Sequence, residues 1–271
     1  MVRKLLKHEM NAFTRSMLPM EVILLGIAVL TRFIQIFETE SSAYNIVRTS
    51  AIIAFVISIV VCLIMSVAVS IRRFYTNMFT SEGYLTMTLP VTAEQHIFAK
   101  LLVSIASLLI TLLTVTVSVC IATLGDVLAE VCKAVGYIFG EWYDALGGHL
   151  IGYIFEIILL ALVAMASQYL LFYACISIGQ TARKNRVLAA FGVYFAYYIV
   201  TQILGTILII VVAANPQWLS DMARSMFEWA EKHQFAAFHI LFLGITAFNA
   251  VMSGLWFLVS RYIIKNRLNL E

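Results

Sequence analysis

The stretch AIIAFVISIVVCLIMSVAVSI, residues 51–71, decides the fold. It holds 21 residues and no charged side chain. An α-helix needs about 20 apolar residues to cross the roughly 30 Å hydrocarbon core of a bilayer, and it satisfies its backbone hydrogen bonds internally. The stretch lacks the alternation of apolar and polar residues that is typical of a membrane β-strand. It therefore predicts a transmembrane helix.

Five more apolar stretches of comparable length accompany it. The six predicted spans are residues 18–37, 51–71, 101–124, 150–178, 187–214 and 238–264. The chain of 271 residues is 62% hydrophobic and 12% charged, whereas soluble domains are about 45–50% apolar and about 25% charged. This composition excludes a single soluble domain and also excludes disorder. We expect an all-α integral membrane protein in which residues 18–271 form a six-helix transmembrane domain.

Lysine and arginine residues are distributed unevenly between the two sides of this arrangement. Thirteen of the 18 lie on the side that holds both termini and the connections after the second and fourth spans. Because cytoplasmic loops carry an excess of these residues, both termini are predicted to be cytoplasmic. The first span starts far into the chain and lacks a small-residue cleavage site, so it is predicted to be a retained anchor.

Residues 1–17 are amphipathic at helical spacing, with basic side chains away from the apolar face. Such a helix is expected to lie in the cytoplasmic headgroup plane. Pro19 is expected to mark the corner before the first span, because proline fits the first turn of a new helix. A plain basic flank without further role is the alternative.

Two long loops on the opposite side, 125–149 and 215–237, are amphipathic as well. Asn215-Pro216 predicts a helix start in the second of them. Tryptophans anchor helices at headgroup depth, so both loops are predicted to be short helices at the outer membrane surface. They are interpreted either as an external gate or as a lid on that surface.

The connection between the second and third spans has unusual apolar content. It reads RRFYTNMFTSEGYLTMTLPVTAEQH, residues 72–96. Thr80 or Ser81 is predicted to cap a short helix, and Thr92 to Gln95 resemble a capping box. Exposed apolar surface usually marks an interface, so the segment is interpreted as a knob that a cytoplasmic partner contacts. Packing against the protein's own helix ends is the alternative.

Ionisable side chains are few within the spans. Glu156 and His149 lie at the outer end of the fourth span, and no proton relay or charged pathway is predicted at mid-depth. Mid-span positions carry carboxamides instead, which can hydrogen-bond between helices for about 0.6–2 kcal/mol each. These are Gln168, Gln202 and Asn249. We interpret them as interhelical contacts, with substrate contacts in a pathway as the second choice.

No catalytic motif occurs in the chain. The sequence lacks HExxH and GxSxG, and it has no Gly-Lys dipeptide, so the phosphate-binding loop GxxxxGK[ST] is absent. The cysteines form no CxxC pair and have no histidine at metal-ligand spacing, so free thiols are expected. They are Cys62, Cys120, Cys132 and Cys175. We expect no enzyme activity, metal site or cofactor on this chain.

The string FTSEGYLTMTLPV, residues 79–91, followed by KLL at 100–102, resembles the first intracellular loop of bacterial type-2 ABC exporter permeases. These are six-span membrane subunits with ABCG-like architecture. The layout of the whole chain is similar too: an N-terminal interfacial helix, six spans, both termini inside and an outer insertion before the last span. The long loop 125–149 departs from the family's pattern.

The resemblance implies a permease in the bacterial cytoplasmic membrane that exports an amphiphilic peptide, lipid or drug-like substrate. Its implied partners are two ATP-binding subunits, which would carry ATP and Mg²⁺, and a second permease copy or sister permease; nucleic acid is not implied. In that family the loop between the second and third spans holds a coupling helix that docks on the ATPase. We therefore call residues 72–96 the coupling segment, and its implied coupling residues are Tyr75, Phe79, Glu82, Gly83, Tyr84 and Leu85.

Three other functions remain open at this point. A secondary transporter calls for charged or broken helices near mid-depth and for repeated halves, and neither pattern is apparent. An intramembrane enzyme needs paired catalytic groups at matching depth, which are missing. A membrane scaffold or immunity protein without transport is compatible with six spans. A neighbouring gene for a soluble protein with a phosphate-binding loop would favour the exporter over a secondary transporter.

Overall fold

The computed structural model describes residues 2–37, 41–80, 83, 91–182 and 184–266. The described chain is helical and contains no strand, as the composition predicts. Its helices are α1 (Val2–Ile36), α2 (Ser42–Phe79), α3 (Ala93–Ala122), α4 (Asp126–Leu146), α5 (His149–Gly179), α6 (Arg186–Ala213), α7 (Pro216–Lys232) and α8 (Gln234–Asn266).

Six of these helices, α1, α2, α3, α5, α6 and α8, are long and apolar enough to cross a membrane. This finding confirms the six predicted spans. The other two, α4 and α7, occupy the two long amphipathic loops. The spanning helices extend past the apolar stretches: α2 has 38 residues, which corresponds to about 57 Å at 1.5 Å per residue. Its ends therefore reach beyond the hydrocarbon core.

The first helix corrects one prediction. A separate helix over residues 1–17 was expected to meet the first span at a corner at Pro19, but α1 runs without interruption from Val2 to Ile36 with Pro19 inside it. The helix continues because apolar side chains on both sides of the proline, Met17 and Leu24 among them, are buried against neighbouring helices. Tertiary packing here outweighs the roughly 3 kcal/mol by which proline disfavours a helix interior.

Residues Met1–Asp144 form one of two units, and in it α1, α2 and α3 pack against one another. Two apolar clusters fill the space between these helices. The first consists of Leu24, Ala28, Phe55, Cys62 and Ala122, and the second of Phe13, Met17 and Val103. Each cluster draws on more than one helix, so the packing of the three is continuous on both sides of Pro19.

Small hydroxyl side chains line the contact between these helices. Thr111 on α3 is fully buried, and its Oγ1 lies 3.2 Å from Ser66 Oγ on α2 and 3.2 Å from Glu21 Oε1 on α1. Ser107, one turn earlier, is also fully buried. Small polar residues let membrane helices approach closely and supply hydrogen bonds between them. The first unit therefore combines apolar packing with a polar seam.

Residues Ala145–Glu271 form the second unit, in which α5 packs against α8 and α6. The close approach of α5 and α6 occurs at Gly179, where an added Cβ would lie 2.6 Å from the backbone nitrogen of Ala190. Only glycine fits at that distance. α6 itself has no buried residue, so its many apolar side chains are left to contact lipid or another chain.

Two of the predicted helix starts are confirmed, and the third falls mostly outside the described residues. At the start of α3, Thr92 Oγ1 accepts from the Gln95 N–H and the Gln95 side chain accepts from the Thr92 N–H, which confirms the capping box. Pro216 begins α7 as predicted. Thr80 is the C-cap of α2, where its hydroxyl donates to the Thr76 carbonyl at 2.6 Å. Gly83, three residues later, is helical, and Ser81, the other predicted cap of a short helix, lies outside the described residues.

Candidate functional site

The described part of the coupling segment does not form an exposed knob. The helix α2 continues to Phe79, so Tyr75 and Phe79 lie on its last turns. Phe74, Met78 and Phe79 are buried, and the rings of Phe74 and Phe79 meet edge to face with centroids 5.9 Å apart. These apolar side chains pack inward, as the alternative interpretation has it.

The remaining coupling residues follow α2 directly. Gly83 is buried, and its backbone N–H donates to the Thr80 carbonyl at 2.7 Å. Glu82, Tyr84 and Leu85 lie outside the residues that the structure describes. Their contact with an ATP-binding subunit stays a prediction.

A buried carboxylate lies at the end of the first unit that carries the coupling segment. Glu9 on α1 is 5% exposed. Its Oε1 accepts a hydrogen bond from Lys100 Nζ at 2.7 Å, and its Oε2 accepts one from Arg73 Nη2 at 2.7 Å. Asn77 Nδ2 donates to Oε1 at 3.3 Å. We call these four side chains the Glu9 cluster.

The Glu9 cluster joins three helices, because Arg73 and Asn77 belong to α2 and Lys100 belongs to α3. The side chain of Lys100 is 4% exposed and that of Arg73 is 19% exposed, so water screens both ion pairs weakly. A buried charge is costly unless it is paired and hydrogen-bonded. Two cations share one carboxylate here.

Sequence reasoning missed this cluster. In the sequence, Arg73 and Lys100 appear only as basic residues at the ends of predicted spans, and Glu9 belongs to no recognised motif. The available signal was the helical register: Glu9 lies four residues before Phe13 and therefore shares its apolar face. A carboxylate on the buried face of an amphipathic helix predicts a cationic partner, although the sequence does not say which one.

A second polar group lies in the other unit, near the N-termini of α5 and α8. His239 Nδ1 lies 2.7 Å from Glu156 Oε1, and His239 Nε2 lies 3.3 Å from His149 Nδ1. The side chain of Glu156 is 12% exposed and that of His239 is 27% exposed, while His149 is exposed. These three residues, called the His149 chain below, connect an exposed imidazole to a nearly buried carboxylate.

Aromatic rings hold the imidazoles of the His149 chain in place. The His149 ring stacks on Phe235, with centroids 4.5 Å apart and an angle of 5° between the planes. Tyr153 stacks on His239 at a centroid distance of 4.5 Å, and its hydroxyl donates to the Phe235 carbonyl at 3.0 Å. The stacking fixes the planes of the two imidazole rings.

His149 also lines a cavity of about 400 Å³ that is open to the surroundings. The remaining wall is the end of α7 and the start of α8, with the charged or titratable residues Glu231, Lys232 and His233. The exposed end of the His149 chain therefore faces a space that water can enter.

Sequence reasoning identified Glu156 and His149 but not their partner. His239 was overlooked because it lies at the second position of an apolar stretch, where the surrounding residues dominate the pattern. A histidine inside such a stretch is itself a signal, since ionisable groups in spans mark functional sites by default.

The three mid-span carboxamides do not meet. Asn249 Nδ2 donates at 2.9 Å to the Ile245 carbonyl of its own helix, and the side chains of Gln168 and Gln202 are exposed. Within the described residues, the interhelical hydrogen bonds predicted for these three are therefore not formed. Each amide satisfies itself locally or faces outward, which leaves a role in a transport pathway as a prediction.

The two loop helices are exposed over nearly their full length. In α7, Trp218, Met222, Met226 and Trp229 follow one face and are all exposed. In α4, every described side chain from 129 to 145 is exposed. Both helices thus present apolar faces outward, in keeping with the predicted position at a membrane surface. Among the described residues, no group of three or more His, Cys, Asp or Glu side chains is arranged to hold a metal ion.

Comparisons with protein-family models, with curated proteins and with solved structures found no match. What the chain does must be argued from its own residues. The chain has a multi-pass helical membrane fold, a buried Glu9 cluster and a His149 chain that runs from an exposed imidazole to a nearly buried carboxylate.

Proposed function

We propose that this chain is the membrane-spanning permease subunit of an ATP-driven exporter of the ABC type. It acts with two ATP-binding subunits, which carry ATP and Mg²⁺, and with a second permease copy or a sister permease. Its substrate is an amphiphilic peptide, lipid or drug-like molecule. The proposal rests on the sequence resemblance of residues 79–91 and on the position of the Glu9 cluster beside them.

The Glu9 cluster is the observation that carries the proposal. Arg73 and Lys100 stand at the two ends of the coupling segment, on α2 and α3, and both bind Glu9 on α1. A subunit that pushes on the segment between them therefore pushes on three helices at once. A connection that only linked two spans would not need a buried, charge-paired anchor at both ends.

The cluster makes the three helix ends move together. Pulling α2 or α3 away from α1 would leave a buried charge without its partner, which costs about 3–5 kcal/mol. Tilting the three helices as one body keeps the ion pairs intact. Closure of the ATP-binding subunits would thereby change which side of the membrane a pathway between two permeases faces.

Binding of ATP would drive this change in the side of the membrane that the pathway faces. A ligand shifts an equilibrium between two states only by its difference in affinity for them, so ATP has to bind the closed arrangement of its subunits more tightly. The permease contributes no hydrolytic chemistry, because the chain lacks a phosphate-binding loop. Its contribution is to convert the motion of the coupling segment into a motion of helices.

Affinity purification tests the partnership. The tagged full-length chain is extracted from native membranes in mild detergent, and co-purifying proteins are identified by mass spectrometry. We expect a subunit with a phosphate-binding loop at a ratio near one to one. If repeated captures yield the chain without any such subunit, the proposed function is wrong.

Substitutions in the coupling segment test the mechanism. We expect Glu82→Gln and Tyr84→Ala to abolish the stimulation of ATP hydrolysis by the permease while leaving membrane insertion unchanged. Glu94→Gln is the matched control, because it removes one carboxylate from an exposed position in the same segment. If Glu82→Gln and Tyr84→Ala transport and stimulate hydrolysis as the control does, the coupling assignment fails.

A further inference from the structure

We propose that Glu156, His239 and His149 form a proton relay, in which a proton taken up from the cavity at His149 is delivered to Glu156. The relay is independent of the coupling segment and adds a function to the proposed one. It assigns the second unit a proton-binding site, with the proton itself as the ligand.

The hydrogen bonds fix the starting arrangement of protons. An ionised Glu156 only accepts, so His239 Nδ1, at 2.7 Å, carries the hydrogen of that bond. In a neutral His239 the other nitrogen, Nε2, then has a free lone pair. It accepts the Nδ1 hydrogen of His149, at 3.3 Å. The Nε2 atom of His149 is left as the free base of the chain.

One proton can pass along the chain without breaking it. A proton binds His149 Nε2, the Nδ1 proton of His149 moves to His239 Nε2, and the Nδ1 proton of His239 moves to Glu156 Oε1. Three N–H or O–H bonds form and two N–H bonds break, which accounts for the one added proton. Both imidazoles end neutral with their tautomers reversed, and Glu156 ends as a carboxylic acid.

The end point of the relay is a suitable acceptor. The second carboxylate oxygen, Glu156 Oε2, is buried and has no hydrogen-bond partner among the described residues. Protonation of the carboxylate therefore breaks no hydrogen bond at Oε2. Delivery of a proton to Glu156 removes a negative charge from the interface of α5 and α8.

A second proton is not accommodated in the same way. With both imidazoles protonated, His239 Nε2 and His149 Nδ1 would each carry a hydrogen, and the contact between them would place donor against donor. Two positive rings would also repel each other. The two imidazoles therefore cannot both be charged unless α5 and α8 move apart.

The surroundings contain few other titratable groups. Tyr153 on α5 stacks on His239, and Glu231, Lys232 and His233 at the end of α7 line the cavity beside His149. Glu231 and Lys232 carry opposite charges and offset each other. His233 stacks on Trp229 at 5.3 Å and lies outside the chain of hydrogen bonds, so it provides a matched control.

Infrared spectroscopy after a drop in pH tests the relay. The full-length chain in lipid nanodiscs is shifted from neutral to mildly acidic buffer, and the C=O stretch of protonated carboxyl groups is followed in time. We expect one band that is lost in Glu156→Gln. In His149→Gln the same band should rise about 100-fold more slowly, the scale that a positioned proton donor contributes.

The controls separate transfer from folding. His233→Gln should keep both the band and its rate, and all variants should keep the thermal unfolding midpoint of the wild-type chain at neutral pH within a few degrees. A band that survives in Glu156→Gln, or a rise in His149→Gln as fast as in His233→Gln, would overturn the relay. A rise in the unfolding midpoint with zinc chloride that His149→Gln abolishes would also overturn it, because the two imidazoles would then hold a metal ion.

Discussion

The ammonium nitrogen of Lys100 lies 2.7 Å from Glu9 Oε1, although the two residues are 91 positions apart in the chain. Both side chains are almost fully buried, at 4% and 7% exposed. The pair ties the N-terminal part of α1 to the first turns of α3, on one side of the coupling segment. Its removal offers a direct measure of how strongly the helix ends are fixed.

Neutralising Glu9 should destabilise the first unit. Glu9→Gln keeps the size of the side chain and removes the carboxylate that Arg73 and Lys100 share, so we expect a loss of about 3 kcal/mol in the free energy of unfolding. The double variant with Lys100→Gln should recover part of that loss, because one of the two cations that face position 9 is then gone. Chemical unfolding of the purified chain in detergent measures both.

The exposed pair of Arg224 and Glu228 is the control for this measurement. Its atoms lie 3.9 Å apart, and both side chains are largely exposed, so Glu228→Gln should change the free energy of unfolding by no more than about 0.5 kcal/mol. If Glu9→Gln and Glu228→Gln lower the free energy of unfolding equally, the Glu9 cluster does not hold the helix ends more strongly than an exposed ion pair does.

Gly179 should tolerate no side chain. In Gly179→Ala the new Cβ would meet the backbone of Ala190 at 2.6–2.7 Å, which forces α5 and α6 apart and costs about 1–3 kcal/mol. Gly192→Ala on α6 is the matched control, since nothing lies within 4 Å of its added Cβ and alanine favours a helix over glycine by up to about 1 kcal/mol. The prediction fails if thermal unfolding ranks the two variants in the reverse order.

The predicted orientation can be read from thiol labelling in intact cells. Cys132 on α4 is exposed and belongs to a loop predicted to lie outside, so a membrane-impermeant maleimide should label it. A Lys184→Cys variant in a Cys132→Ser background should stay unlabelled until the cells are broken. The opposite result at both positions would invert the topology of all six spans.

The helix α7 should lie on lipid through its tryptophan face. A chain that retains only Trp218 and Trp229 of the four tryptophans is reconstituted with lipids brominated along the acyl chains, which quench nearby indoles. We expect strong quenching by bromines close to the headgroups and weak quenching by bromines near the bilayer centre. Emission that is insensitive to bromine position would place α7 away from the membrane.

The sequence was sufficient to predict the six spans, since each is a long and predominantly apolar stretch with few charged residues. It also predicted the capping box of Thr92 and Gln95, because that motif is local and requires only two residues three positions apart. In both cases the residues that cause the structure lie within the same short segment of the chain. Neither prediction depended on knowing which helices become neighbours.

The polar sites were harder to predict because they depend on contacts between distant residues. Glu9 meets Arg73 and Lys100 across 64 and 91 positions, and nothing in the local sequence selects those partners. The same holds for His239 and Glu156, which lie 83 positions apart. The prediction of a helix boundary at Pro19 was wrong for a related reason. Proline disfavours a helix interior on local grounds, but the packing of side chains from three helices outweighs that preference.

Pro19 gives α1 a mechanical property although the helix runs through it without interruption. The proline cannot donate to the carbonyl of Arg15, so one rung of the helical ladder is missing between the clusters around Phe13 and around Leu24. On the side of Glu9 the helix is fixed by two ion pairs. On the other side it is held by apolar contacts and by two hydrogen bonds without a charged donor, from Thr111 Oγ1 to Glu21 Oε1 and from the Tyr44 hydroxyl to the Ile34 carbonyl. A turning force applied near Glu9 would therefore bend the helix at residue 19. The half of α1 beyond that residue could then tilt while both ion pairs of Glu9 stay intact.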